Sequence, residues 1–184
     1  LVAAIEINAQ AFNNLEKYNR TLSGRTGCGL CGVDKLEQAV RPLEKIASKF
    51  KVKAQQVHKS MQSIKSHQHL NKETGALHAA AFVNDKGQFI AVREDVGRHN
   101  ALDKLIGHLM RKKIDPTKGS TLITSRCSFE MVQKCAIAGI PVITAVSATT
   151  GLAIDLANQA GISIIAFARK GSMNIVTDTE NRII

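Results

Sequence analysis

The chain has 184 residues, enough for one substantial core with a small appendage, and 44% of them are hydrophobic. No apolar run approaches the roughly 20 residues of a membrane-spanning helix, so no membrane partner is expected. Twenty-five Lys and Arg against fifteen Asp and Glu leave a net charge of +10, read either as a solvated basic surface or as the mark of an anionic partner. With no Trp and one Tyr there are few platforms for stacking nucleobases, so a phosphorylated small molecule is favoured over nucleic acid.

The chain opens Leu1-Val2-Ala3-Ala4-Ile5, with no initiator Met and no basic segment leading into an apolar one. This start is expected of a missing or removed N-terminal part rather than of a signal peptide. Residues 2–7 read as a strand and residues 11–20 as a short helix. Ser23-Gly24-Arg25-Thr26-Gly27 is loop chemistry, and it leads into Cys28-Gly29-Leu30-Cys31-Gly32. Glycine leaves this backbone free to turn and leaves the sulfurs uncovered by neighbouring side chains. Asp34 is placed to cap a following helix with Leu36, Val40, Leu43 and Ile46 on one face, bent or divided at Pro42.

Residues 51–70 predict a second helix, with Val57, Met61 and Ile64 on one face. His58, His67 and His69 lie on or beside it. They have no acidic or Cys neighbours, and they read as polar helix-end residues rather than metal ligands. The period then changes. Residues 77–83 and 89–92 form the two strands of a hairpin around Asn84-Asp85-Lys86-Gly87. Next comes Arg93-Glu94-Asp95-Val96-Gly97-Arg98-His99-Asn100, polar or Gly at seven of eight positions, and then an amphipathic helix over residues 101–113. A packed core does not require such a cluster. Glu94, Asp95, Arg98 and His99 are therefore candidate site residues at a helix N-terminus, the alternative being a solvated connector with a capping residue.

The last third repeats one pattern. Strands are expected over residues 121–124, 141–146 and 162–168, with a final strand over 174–177. Helices are expected over 129–138 and 152–160, ending at Gly139 and Gly161. Alternating strands and helices with near-continuous apolar strands imply an α/β fold with a parallel sheet covered on both faces. Right-handed crossovers gather the intervening loops at the carboxyl ends of the strands. Those loops carry Ser125 and Arg126, Ser147 and Thr149, and Arg169, Lys170 and Gly171. Free N–H groups, hydroxyls and two cations suit a phosphate, and a nucleotide is the natural candidate. Neither a Walker sequence nor GxGxxG is present, so a P-loop NTPase and a Rossmann dehydrogenase are unsupported. The expected organisation is an N-terminal partial region with the thiol loop over 1–75 and an α/β domain over 76–184.

Three readings compete for Cys28 and Cys31. Structural zinc needs about four ligands, and no second Cys-x-x-Cys is present; Cys127 and Cys135 are eight residues apart. A thioredoxin-type pair opens a helix directly after a strand, whereas a Gly-rich loop precedes this one. A sulfur carrier needs an exposed thiol near a ligand pocket, with Arg25 or the next helix N-terminus favouring the thiolate. Four Cys in this length do not make a secreted disulfide scaffold, and a reducing cytoplasm is expected.

Taken together, TGCGLCG at 26–32, HAAAF at 78–82, REDVGRHNALDKLIG at 93–107, SFEMVQK at 128–134 and AVSATTGLAIDLA at 145–157 resemble the formate dehydrogenase accessory sulfurtransferase family. The resemblance implies a protein that receives sulfur as a persulfide from a cysteine desulfurase. It then delivers the sulfur to the molybdenum or tungsten bis(guanine dinucleotide) cofactor of formate dehydrogenase. It implies that Cys28 bears the persulfide, with Cys31 as its companion. It also implies that the guanine dinucleotide binds a Phe-x-(Lys/Arg)-x-Gly-x segment, here Phe167, Ala168, Arg169, Lys170, Gly171 and Ser172; Ser172 stands where some members carry Arg. The implied fold is similar to cytidine deaminase, a mixed sheet covered by helices, with a truncated N-terminal appendage, and a homodimer is expected. Deaminase chemistry does not follow. His78-Ala79-Ala80 lacks the Glu of H-x-E, and no Pro precedes a Cys-x-x-Cys. No permanently bound metal is expected. The alternative is a chaperone that docks the cofactor on the dehydrogenase without carrying sulfur.

Overall fold

The structure, a computed structural model, describes residues 43–169 and 171–184, together with Ala9 and Phe12. Cys28, Cys31, the expected strand over 2–7, the expected helix over 11–20 (Phe12 apart) and Lys170 lie outside the described residues.

Residues 43–50 have no regular secondary structure, so the helix expected after Asp34 does not run through Leu43 and Ile46. Alternation decides this segment instead. Phe50 and Val52 turn inward while Lys49, Lys51 and Lys53 stay exposed. Val52 bridges to Ile183, and buried Arg182 donates to the carbonyls of Ile46, Ser48 and Gly161.

The expected long helix over 51–70 is broken in three. Helix α1 is Ala54–Ser63, a 3-10 turn spans Ile64–His67, and α2 is His69–Thr74. Val57, Met61 and Ile64 do share a buried face. Past Ile64, however, no apolar residue continues the stripe until Leu70, which is exposed, so the helical face that packs on the sheet ends there. His67 stacks its ring on Phe89, with centroids 4.1 Å apart.

Strands β1 (His78–Val83) and β2 (Phe89–Asp95) form the expected hairpin, but β2 runs three residues further than its apolar pattern predicts. Arg93, Glu94 and Asp95 are strand residues paired with Ala80, Ala79 and His78. Helix α3 (Arg98–Arg111) follows after two residues. Then come β3 (Ser120–Ile123), α4 (Phe129–Ala138), β4 (Val142–Ala145), α5 (Gly151–Ala160), β5 (Ser163–Arg169) and β6 (Ser172–Thr177).

One six-stranded sheet results, in the order β2-β1-β3-β4-β5-β6. β3, β4 and β5 are parallel, as the strand–helix repeat predicts, and the flanking pairs β1–β3, β1–β2 and β5–β6 are antiparallel. The sheet is therefore mixed, and helices cover both faces. Val57, Met61 and Ile64 pack on Ala79, Ala81, Leu122, Val142 and Ile165 of one face. Helix α3 packs on β1 and β2, and α4 packs between α3 and α5. Residues 79–81 of β1 are three consecutive alanines, small enough for helices to approach from both sides. Gly139 (φ 81°) and Gly161 (φ 65°) end α4 and α5 in the left-handed conformation, which lets each chain reverse directly into β4 and β5.

Because residues from Ile46 to Ile64 belong to this core, the compact unit is Pro42–Ile184. The division expected after residue 75 falls inside it. Among the described residues no helix is long and apolar enough to cross a membrane.

Candidate functional site

The carboxyl ends of β3, β4 and β5 lie at one edge, and the antiparallel strands bring other residues to it. His78, the first residue of β1, sits there opposite Asp95 at the end of β2, and Arg169 pairs with Ser172 where β5 meets β6. A cavity of about 570 Å³ opens between this edge and the α1–α2 segment. Met61, Ile64, Leu77, Val146 and Ala168 supply its apolar wall. Gln62, Lys65, Gln68, Asn71, His78, Thr124 and Arg169 supply its polar lining.

The α1–α2 wall is held by the sheet. The Glu94 carboxylate on β2 accepts the backbone N–H groups of Leu70 (3.1 Å) and Asn71 (2.8 Å), placing an anion on the first turn of α2. Asn71 Oδ1 accepts the Leu77 N–H at 2.8 Å, closing the return into β1. His78 is half-buried. Burial, and then the charge of Arg98, lower its pKa and favour the neutral ring at pH 7.

The Phe167–Ser172 segment begins with a break in the β5–β6 register between Ala166 and Arg169. Phe167 has a φ of 53°, a left-handed backbone on a bulky residue, which costs about 1–3 kcal/mol. Its N–H donates to Ser147 O at 3.2 Å. The kink leaves Ala168 buried in the wall and Arg169 exposed at the mouth, its guanidinium carbon 5.6 Å from the Phe167 ring centre. His58 Nε2 donates to Arg169 O at 3.3 Å. Gly171 and Ser172 line a neighbouring hollow with Gln55, His58 and Met173.

The two Ser/Thr loops are tied to each other. Cys127 N–H donates to Ala148 O at 3.0 Å, and Thr150 N–H donates to Cys127 O at 3.2 Å. These N–H groups, and that of Phe167, are consumed between loops rather than left free for a phosphate as the sequence suggests. Ser125 is buried and donates to Arg126 O, Arg126 is exposed, and the Thr149 hydroxyl is buried without a hydrogen-bond partner. The cavity wall takes Thr124 and Val146, the residue before each loop, and not Ser125, Arg126, Ser147 or Thr149.

The polar cluster after β2 divides by task. Asp95 accepts from Lys104, from Gly97 N–H (2.9 Å) and from Asn100 (3.2 Å). The Lys104 bond first, and the Gly97 N–H next, hold its pKa down to about 2. Asp95 is thus the cap of the β2–α3 connection. His99 Nε2 lies 3.3 Å from Glu130 Oε2 at the start of α4. Burial lowers the His99 pKa although Glu130 opposes the shift. Arg98 sits close enough to both histidines to disfavour their protonation.

Of the thiols, Cys127 and Cys135 are fully buried and free. Burial pushes the Cys127 thiol up to about 12, and burial with the neighbouring Cys127 raises Cys135 well above its ordinary value. Among the described residues no three His, Cys, Asp or Glu are arranged to hold a metal.

The chain matches the FdhD/NarQ family over residues 2–184. It is 46% identical over 175 residues to a protein named sulfur carrier protein FdhD from Bordetella bronchiseptica, covering 95% of this chain and 63% of that one. It is 45% identical over 174 residues to the protein of that name from Shewanella oneidensis, covering 94% and 62%. The chain belongs to the FdhD/NarQ family. A solved structure from Desulfotalea psychrophila, provisionally described as a formate dehydrogenase accessory protein, superposes with a TM-score of 0.69 at 26% identity, over 77% of this chain and 60% of that one. The chain thus spans less than two thirds of the length of the curated relatives it matches.

Within this FdhD/NarQ chain, Ala168 and Arg169 of the expected segment reach the cavity. Gln68, Asn71, Lys65 and His78 are lining residues that sequence reasoning missed. His78 alone carried a signal, as a polar residue opening an apolar strand at the edge where the loops gather.

Proposed function

We propose that this protein is a sulfur carrier for formate dehydrogenase maturation. The Cys28 thiolate attacks the terminal sulfur of a cysteine desulfurase persulfide. The donor's S–S bond breaks, the donor cysteine leaves as a thiolate, and Cys28 carries the persulfide. Cys31, three residues on, assists. The acceptor is the molybdenum bis(guanine dinucleotide) cofactor of formate dehydrogenase, bound as substrate.

The observation that carries this reading is the pairing of relatives named sulfur carrier proteins, at 45–46% identity across nearly the whole chain, with the retained Cys-x-x-Cys. The chemistry of the remaining thiols supports it. Cys127 and Cys135 are buried with raised pKa values, so neither offers a thiolate near neutral pH.

The cavity suits one nucleotide. Its volume of about 570 Å³ lies within the roughly 300–1,000 Å³ of small-ligand pockets. Its apolar walls, carboxamides and mouth cations match a base, a ribose and phosphates. Both nucleotides of the cofactor exceed it, so two subunits of a homodimer would take one each.

The test loads the protein with a cysteine desulfurase and cysteine and reads its mass. Gain of one sulfur atom on the wild type, lost in Cys28→Ser, is expected. A wild type that never gains sulfur overturns the reading. A Cys28→Ala variant that still activates formate dehydrogenase would favour a cofactor chaperone in which the thiols only assist.

A further inference from the structure

The amino ends of the parallel strands form the edge opposite the cavity, and a second concave surface lies there. β1 runs from His78 at the cavity edge to Val83 at this one, and the turn bearing Asp85 and Lys86 follows it. Lys118 stands just before β3. Two hollows, of about 500 Å³ and about 250 Å³, adjoin here, and Lys51 and Asp85 line both. Together they make a groove along residues 49–53, with Lys118 lining one part and Lys86 the other. Its walls are fixed. Ser48 Oγ donates to Thr117 O at 2.7 Å, and Ser60 Oγ lies 2.8 Å from Gly87 O, tying the 84–87 turn to α1.

The backbone along this groove is paired on one side only. Val52 N–H donates to Arg182 O at 2.9 Å, Ala54 N–H to Ile184 O at 2.8 Å, and Ile184 N–H to Val52 O at 3.0 Å. The N–H and C=O of Lys51 and the N–H of Lys53 make no hydrogen bond with a described residue. An exposed edge of this kind is a template for one more strand. Its side chains are cationic. Lys49, Lys51, Lys53, Lys86 and Lys118 are all exposed, and of these Lys118 alone meets a described carboxylate, Asp115 at 3.5 Å.

We propose that this groove binds an extended acidic segment of a partner protein, which adds a short strand beside Lys51 and Lys53. Lys49, Lys51 and Lys53 recur every second residue, roughly 6.6 Å apart, the spacing of same-face side chains on a facing strand. A peptide with carboxylates at alternate positions therefore meets all three while its main chain satisfies the free N–H and C=O groups. A nucleic acid fits less well, because its backbone has no donor for the Lys51 carbonyl and its phosphates would face Asp85. A second copy of this edge is excluded by like charge. The groove and the cavity occupy opposite edges of the sheet, so a partner held here leaves the cavity open.

Fluorescence anisotropy of the full chain with a labelled peptide alternating glutamate and threonine tests this. Binding is expected, weakening as salt rises. It should fall about tenfold or more when Lys51→Glu and Lys53→Glu are combined, and less steeply with Lys51→Gln and Lys53→Gln, which add no repulsion. Both lysines are exposed, so the melting temperature should hold in either variant. The same peptide N-methylated at alternate residues keeps its charge and loses its donors, and it should bind several-fold more weakly. A wild type that does not bind the glutamate peptide overturns the proposal. So does N-methylated peptide binding as tightly as the parent, or a single-stranded oligonucleotide of equal charge binding more tightly, since either makes the groove a general polyanion surface.

Discussion

The Glu94 carboxylate on β2 accepts the backbone N–H of Asn71 at 2.8 Å, and its second oxygen takes the Leu70 N–H at 3.1 Å. A six-residue helix is too short to stand by its own hydrogen bonds. This carboxylate supplies what α2 lacks, satisfying two N–H groups that have no intrahelical partner. Glu94→Ala should cost about 1–2 kcal/mol in urea unfolding. It should also weaken ligand binding, because Gln68 and Asn71 lie on the wall that Glu94 anchors. Unfolding curves and calorimetry on the same variant check both.

Much of this fold is legible in local pattern. The hairpin of β1 and β2, the repeat from β3 to β5, and the gathering of loops at one edge follow from apolar periodicity and glycine placement. Three features do not. The apolar stripe of α1 is real as far as Ile64, but the break after it depends on what residues 65–68 meet in space. Arg93, Glu94 and Asp95 read as a polar connector, yet they extend β2, because the pairing partners Ala80, Ala79 and His78 lie on a strand already fixed in place. The cavity is purely tertiary. Gln68 and Arg169 are 101 positions apart, and no spacing rule relates them. The charge and loop argument still reached Arg169, because cations after a strand's carboxyl end fall at that edge by topology alone.

Asp95 should contribute an acid-sensitive share of stability. Its pKa is lowered from 3.8 to about 2, chiefly by the Lys104 hydrogen bond and then by the Gly97 N–H. The unfolded chain therefore binds a proton before the folded one does as pH falls. The stabilisation is complete above about pH 4 and is lost as pH drops through about 2. Asp95→Asn should be less stable than the wild type at pH 6, and the gap should close towards pH 2. Guanidinium unfolding of the pair across that range measures it.

Arg169→Ala should weaken guanine nucleotide binding by roughly 1.5–3 kcal/mol, the worth of a charge-assisted hydrogen bond. The Phe167 kink delivers this guanidinium to the mouth of the cavity, where it is exposed and makes no ion pair with a described residue. Pyrophosphate binding should fall in parallel, because the lost contact is to the anionic end. Calorimetric affinity for either ligand that stays at the wild-type value would detach Arg169 from the site.

The two classes of thiol should separate by reactivity. Cys127 and Cys135 are wholly buried, and burial pushes Cys127 up to about 12 and Cys135 well above its ordinary value. At pH 8 the Cys127 thiolate is then far scarcer than that of a free cysteine of pKa ~8.5. Iodoacetamide on the folded protein should therefore modify Cys28 and Cys31 and spare Cys127 and Cys135, and denaturant should expose all four cysteines of the chain. Peptide mapping by mass spectrometry reads each site. Cys127→Ala tests the same division from the other side. It removes a buried sulfur that touches no donor, so it should lower stability by a small cavity term and leave sulfur loading on Cys28 intact. Loss of loading in a folded Cys127→Ala protein would place a second working thiol beneath the carboxyl edge and would require the buried pair to open during turnover.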